Sequence, residues 1–179
     1  LDNDDIAQLI QRTGVHVVAL GQHLESGDLD CVYADDGLAT YDAVQWLINV
    51  RQHQRIAFIS VPGTRPSDRR LSAYKRALLD AGISVPDSYI EAGDWMTESG
   101  ERAMRSLMAL KERPTAVFVC NDLMALGCMM VANELRLKIP EDVAIVGFDN
   151  IPEAGRVCPT LTTVAQFPKE MGAQMANAL

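Results

Sequence analysis

The chain has 179 residues and 48% hydrophobic content, enough to bury the core of one domain or two small ones. Its 24 acidic and 16 basic side chains leave a net charge of −8 and a pI of about 4.8, a balance that argues against this segment gripping a nucleic-acid backbone. The longest apolar runs are strand-sized, so no membrane span is predicted, and the four cysteines, at 31, 120, 128 and 158, form no CxxC pair and have no histidine at metal-ligand spacing.

The first residues, Asp2 to Asp5 followed by Ile6, Leu9 and Ile10, read as the beginning of an amphipathic helix. Neither an initiator methionine nor a signal sequence is present. Val15 to Leu20 is a strand candidate and Asp30 to Ala34 a weaker one. Leu38, Tyr41, Val44, Leu47 and Ile48 recur at helical spacing, and Arg55 to Val61 is an apolar strand. A loop is expected over Pro62 to Asp68. Leu71, Tyr74 and Leu78 then mark a helix with Gly82 as its stop. Ser88 to Glu91 reads as a short strand, and Met104, Leu107 and Met108 as a helix. Thr115 to Cys120 is apolar throughout, as is Val143 to Phe148; the helix between them carries Leu123, Met124, Leu126, Met130 and Val131. Cys120 and Cys128 fall in this strand and helix, where reduced core thiols are expected. The chain closes inside a helix, Met171 to Leu179, and both ends read as cut, predicting a fragment of a longer protein. Apolar, non-alternating strands separated by helices predict an α/β fold of doubly wound parallel sheets with helices on both faces.

Polar residues end several of these strands. Asn121 and Asp122 follow the 115–120 run, and Asp149 and Asn150 follow the 143–148 run. The 55–61 strand leads through its loop to Arg69 and Arg70, and the short strand at 88 leads to Gly93, Asp94 and Trp95. In an open parallel sheet the carboxyl edge is where the ligand crevice lies, so Arg70, Trp95, Asn121 and Asp149 are candidate binding residues. Arginine offers a fork of donors, aspartate acceptors and asparagine one of each, a set suited to neighbouring hydroxyls. Trp95 adds a flat apolar face, and the combination is closer to a carbohydrate site than to a phosphate site. Each residue also has a plainer use. Of Asn121 and Asp122, the first is expected to face the crevice and the second to cap the following helix. One of Arg69 and Arg70 is expected to be solvated, Trp95 could anchor a surface loop, and Asp149 could only turn the chain. No GxSxG, GxxxxGK[ST] or GxGxxG element is present. The histidines at 16, 23 and 53 do not sit at matched strand ends. Asp35 and Asp36 could hold a metal for an enzyme, but the basic and hydroxyl partners of phosphoryl transfer are missing.

Six motifs carry a family resemblance: RIAFI at 55–59, RLSAY at 70–74, GDW at 93–95, PTAVFVCNDLMALG at 114–127, IPEDVAIVGFDN at 139–150 and LTTVAQ at 161–166. Together they resemble the effector-binding core of the lactose-repressor (LacI/GalR) family of transcription regulators, a periplasmic-binding-protein-like (type I) fold. The resemblance implies two subdomains, the first incomplete, with the effector held between them. It divides the chain into a partial N-terminal subdomain over 1–34, a C-terminal subdomain over 35–149, and a crossover and return over 150–179. By position it assigns Arg70, Trp95, Asn121, Asp149 and Gln166 to the effector, a sugar first, with a purine or nucleoside as the alternative. Gly21 stands where many relatives carry an aspartate, and Ala73 where a glycine is common. The implied protein is a cytoplasmic, homodimeric, ligand-responsive repressor that is not an enzyme and uses no cofactor or metal. Its helix-turn-helix for operator DNA would lie outside this chain. The rival on the same fold is a periplasmic sugar-binding protein of a transporter, from which the IPEDVAIVGFDN and LTTVAQ pair turns the reading away.

Overall fold

A computed structural model describes residue 10, residues 12–21 and residues 30–179. The helix expected to begin near Ile6 and Leu9, and His23, lie outside the described residues. In chain order the strands are β1 (Val18–Leu20), β2 (Asp30–Val32), β3 (Ile56–Ser60), β4 (Ile90–Ala92), β5 (Ala116–Val119), β6 (Ala144–Asp149) and β7 (Thr162–Ala165). The helices are α1 (Asp36–Asn49), α2 (Arg65–Asp80), α3 (Thr97–Ala109), α4 (Asp122–Glu134) and α5 (Pro168–Ala178).

Two compact units result, one reaching to Asp35 and resuming at Gln166, the other running Asp36–Ala165. In the smaller unit β1 and β2 pair in parallel, and α5 packs against both strands. The larger unit holds a five-stranded, all-parallel sheet in the order β4-β3-β5-β6-β7. Every residue of β3 and β5 is buried, as is β6 up to Phe148. A strand buried at consecutive positions has both faces covered, because successive side chains point to opposite sides. Helices supply that cover in two packed pairs, α1 with α2 and α3 with α4.

The core centres on Phe58, whose ring stacks on Phe118 at 5.7 Å and meets Tyr74 at 5.0 Å. Tyr74 buries its ring completely and keeps its hydroxyl satisfied by donating to the Ile56 carbonyl at 2.8 Å. Gly100 and Gly127 let α3 and α4 cross backbone to backbone. A Cβ on Gly100 would meet the Met124 carbonyl at 2.0 Å, and one on Gly127 the Thr97 carbonyl at 2.1 Å. Cys120 and Cys128 are buried and free, as their positions in the strand and helix led us to expect.

Three local expectations change. The loop read over Pro62 to Asp68 is helical from Arg65, because Pro66 falls in the first turn, where its missing N–H costs nothing and its fixed φ suits the helix. The short strand begins two residues later than read, after a 3-10 turn at Asp87–Tyr89. The larger unit extends to Ala165 rather than stopping at 149, because β7 pairs with β6 from Thr162 to Ala165.

Candidate functional site

From β3 the chain winds to β4 on one side and then crosses to β5 on the other. Connections that leave adjacent strands in opposite directions open a crevice outside their carboxyl ends. The residues after β3 and β5 therefore occupy the place where this fold can receive a ligand.

Arg70, on α2, reaches that place and is 3% exposed. Its Nη1 donates to the Cys120 carbonyl just beyond β5. Its Nη2 faces the Asp36 carboxylate at 3.4 Å, and its guanidinium carbon lies 3.5 Å from the centre of the Phe148 ring. Nε is buried with no hydrogen-bond partner among the described residues, which costs about 1–3 kcal/mol while unmet. Arg70 thus braces α1, β5 and β6 at their site ends, and Arg69 is the more solvated of the pair. Asp36 forms an ion pair with Arg70, and among the described residues no group of three or more His, Cys, Asp or Glu could hold a metal ion. Beside Arg70, burial pushes the Cys120 thiol up to about 11; it stays protonated and unreactive.

The cap expected of Asp122 is made by Asn121 instead. Asn121 has the extended backbone of a cap residue, φ −150° and ψ 168°, and its Oδ1 accepts from the Met124 N–H at 3.0 Å. Its Nδ2 donates to the Trp95 carbonyl at 2.9 Å, so the same side chain ties the β4 loop to α4. Asp122 already has helical backbone, and its carboxylate turns inward, fully buried. There it accepts from the Ile151 N–H at 2.9 Å and the Thr163 hydroxyl at 2.6 Å. Burial raises its pKa, against the opposing pull of these hydrogen bonds. Gly147 makes room for it, since a Cβ there would sit 2.2 Å from Asp122 Oδ1.

Three non-glycine residues around these strand ends have positive φ: Trp95 (73°), Asp149 (124°) and Asn150 (59°). Such backbone costs on the order of 1–3 kcal/mol per residue and persists only where the surroundings hold it. Trp95 is half-buried against the core. Asp149 ends β6 opposite Ala165 of β7. Four of the five expected site residues therefore belong to one unit: Asp149 ends a strand, Trp95 and Asn121 follow strands, and Arg70 lies in the second turn of α2. Gln166 belongs to the other unit, as its first residue after β7. The pairing of Asp36 with Arg70, the part played by Thr163 and the inward role of Asp122 escaped sequence reasoning; only the polar letters of LTTVAQ hinted at Thr163. A separate cleft of about 200 Å³, lined among others by Trp46, Met129, Ile145 and Leu161, contains none of the expected residues.

The family model described as "periplasmic binding protein-like domain" matches residues 44–179. The chain belongs to that family. Among its relatives, the HTH-type transcriptional repressor CytR of Escherichia coli (strain K12) is 42% identical over 146 residues, covering 81% of this chain and 42% of the repressor. Catabolite control protein A of Priestia megaterium is 38% identical over 166 residues, covering 92% of this chain and 50% of that protein. A sugar-binding transcriptional regulator of the LacI family from Escherichia coli, solved with phosphate, superposes with a TM-score of 0.92 at 30% identity over 99% of this chain and 64% of that one. The chain spans half or less of the length of the two curated relatives it matches here. These similarities favour regulators over a binding protein that serves a transporter, on the fold expected from the motifs.

Proposed function

We propose that this chain is the effector-binding and dimerisation core of a ligand-responsive transcriptional repressor. It takes a small sugar-like molecule at the carboxyl edge of the larger unit's sheet and so controls the operator binding of a helix-turn-helix domain carried elsewhere in the protein. The observation that carries the reading is the gathering of Arg70, Asn121 and Asp149 at strand ends about one topological switch point, with strained backbone at Trp95 and Asp149. A bound hydroxyl would meet a charged acceptor from Asp149 and donors from Arg70 and Asn121, with Trp95 offering its ring to the ligand's apolar face. A purine or nucleoside is the second ligand class, because the same ring can stack on a flat base.

In this reading the chain binds its ligand without turning it over, in keeping with the similar proteins, which are regulators. The protein would act in the cytoplasm as a homodimer. Among the described residues no helix is long and apolar enough to cross a membrane. Helix α4 leaves Leu123 40% and Met130 51% exposed, with Leu126 between them on the same face; a second copy would cover this stripe, so Met130→Glu should shift the sedimentation of the full-length protein to the monomer.

The ligand reading is tested by thermal-shift screening of the full-length protein against ribose, glucose, cellobiose, adenosine and cytidine. The expected result is stabilisation by one class, lost in Arg70→Ala. Undiminished stabilisation of a folded Arg70→Ala protein would refute the site.

A further inference from the structure

The loop after β6 is held by a device that the ligand reading does not itself require. Asp149 and Asn150 both have positive φ, and the two amides after Asp149 end on one polar pair. The Asn150 N–H donates to Thr163 Oγ1 at 3.2 Å, and the Ile151 N–H donates to Asp122 at 2.9 Å. Thr163 closes the pair by donating its hydroxyl to Asp122 at 2.6 Å. The carboxylate comes from the first turn of α4, the hydroxyl from β7, and the amides from the end of β6. Strand β6 leaves out a side chain at Gly147 to admit the carboxylate. A cap would be an easier use of an aspartate at a helix start, yet Asn121 takes that task and Asp122 is sent inward.

We propose that Asp122, acting through Thr163, is a positioning residue that holds Asp149 and Asn150 in their positive-φ backbone and so aims the Asp149 carboxylate at the ligand. Without the pair, two amides lose their acceptors and nothing compensates the strain of the loop. The backbone then relaxes and Asp149 leaves its place, although Arg70, Asn121 and the core are untouched. The same pair also fastens β7, which ends at Ala165 where the chain passes into the other unit. The inference rests on the carboxyl edge being the effector site.

The test uses the full-length protein and three substitutions at the pair and the loop. Thr163→Val removes the hydroxyl at constant shape, Thr163→Ser keeps it, and Asn150→Gly removes the strain at the second of the two positive-φ residues. The first readout needs no ligand: amide hydrogen exchange of Asn150 and Ile151, compared with the β5 amide of Phe118. Thr163→Val should accelerate the two loop amides by about tenfold, the equivalent of one hydrogen bond, and leave Phe118 unchanged; Thr163→Ser should restore them. The second readout is affinity for whichever of ribose, glucose, cellobiose, adenosine and cytidine the protein binds. Thr163→Val should weaken it by about tenfold, and Thr163→Ser, or adding Asn150→Gly to Thr163→Val, should recover most of the loss, which a merely structural role would not allow. Unchanged loop exchange in Thr163→Val overturns the inference. Faster exchange with full affinity also overturns it, provided Asp149→Asn weakens binding. If Asp149→Asn itself binds as well as the unmodified protein, the site reading fails and the inference with it.

Discussion

The ends of β5 and β6 carry the same written signal, an apolar run followed by an aspartate-asparagine pair, and the fold uses them in opposite ways. After β5, Asn121 keeps ordinary extended backbone and caps a helix, with one bond from its carbonyl oxygen and one from its amide nitrogen. After β6, Asp149 and Asn150 adopt positive φ and cap no helix of comparable length. The residues beyond each pair decide the outcome. Leu123 to Val131 can bury a helical face, whereas Ile151 and Pro152 turn the chain into a short 3-10 segment toward β7. The first end is relaxed and caps its own helix; the second is strained and depends on Asp122 from the first. A polar pair at a strand end thus marks the carboxyl edge of the sheet without fixing what each member does there.

Substitutions at four positions sharpen or break this contrast. The largest effect is expected where the two ends touch: Gly147→Ala would drive a Cβ to 2.2 Å from Asp122 Oδ1 and should cost about 3 kcal/mol in urea unfolding, the upper part of the overpacking range. At the relaxed end, Asn121→Ala removes the cap and the tie to Trp95 and should cost about 1–2 kcal/mol, with Asn121→Ser recovering the cap part. At the strained end, Asn150→Gly should leave stability within about 0.5 kcal/mol, since glycine tolerates the backbone at a larger entropy of unfolding. A loss there as large as that of Asn121→Ala would erase the distinction between the ends. The smallest effect belongs to the opposite end of β5, where His53 Nδ1 lies 3.0 Å from the Thr115 hydroxyl. Burial, with the charge of Arg51, holds the His53 pKa below its ordinary value. The unfolded chain therefore takes up the proton first, so this contribution is present above about pH 6.5 and is lost as pH falls through the folded value. The unfolding midpoint should drop by less than about 4 °C over that interval, and the drop should be absent in His53→Gln.

Local pattern made much of this molecule legible. The buried strands β3, β5 and β6 announce themselves as unbroken apolar runs, and the spacing from Leu123 to Val131 announces α4, so the parallel sheet and its carboxyl edge could be placed from the residues alone. Pairings across long stretches of chain could not. Asp36 and Arg70 are separated by 34 positions and Asp122 and Thr163 by 41, and no periodicity links them. The inward turn of Asp122 depends on the absence of a side chain at Gly147, a fact of tertiary packing. The helix start at Arg65 was hidden because Pro66 reads equally as a loop residue or as a first-turn residue.

The central claim is that a small ligand is held at this edge by the charged acceptor of Asp149. Calorimetric titration of the full-length protein with the sugar or nucleoside it binds, repeated on Asp149→Asn, tests it directly. The substitution keeps the shape while it removes the charge and turns one acceptor oxygen into an amide donor, so an affinity loss of about tenfold or more is the predicted result. Equal affinity in the two proteins would contradict it.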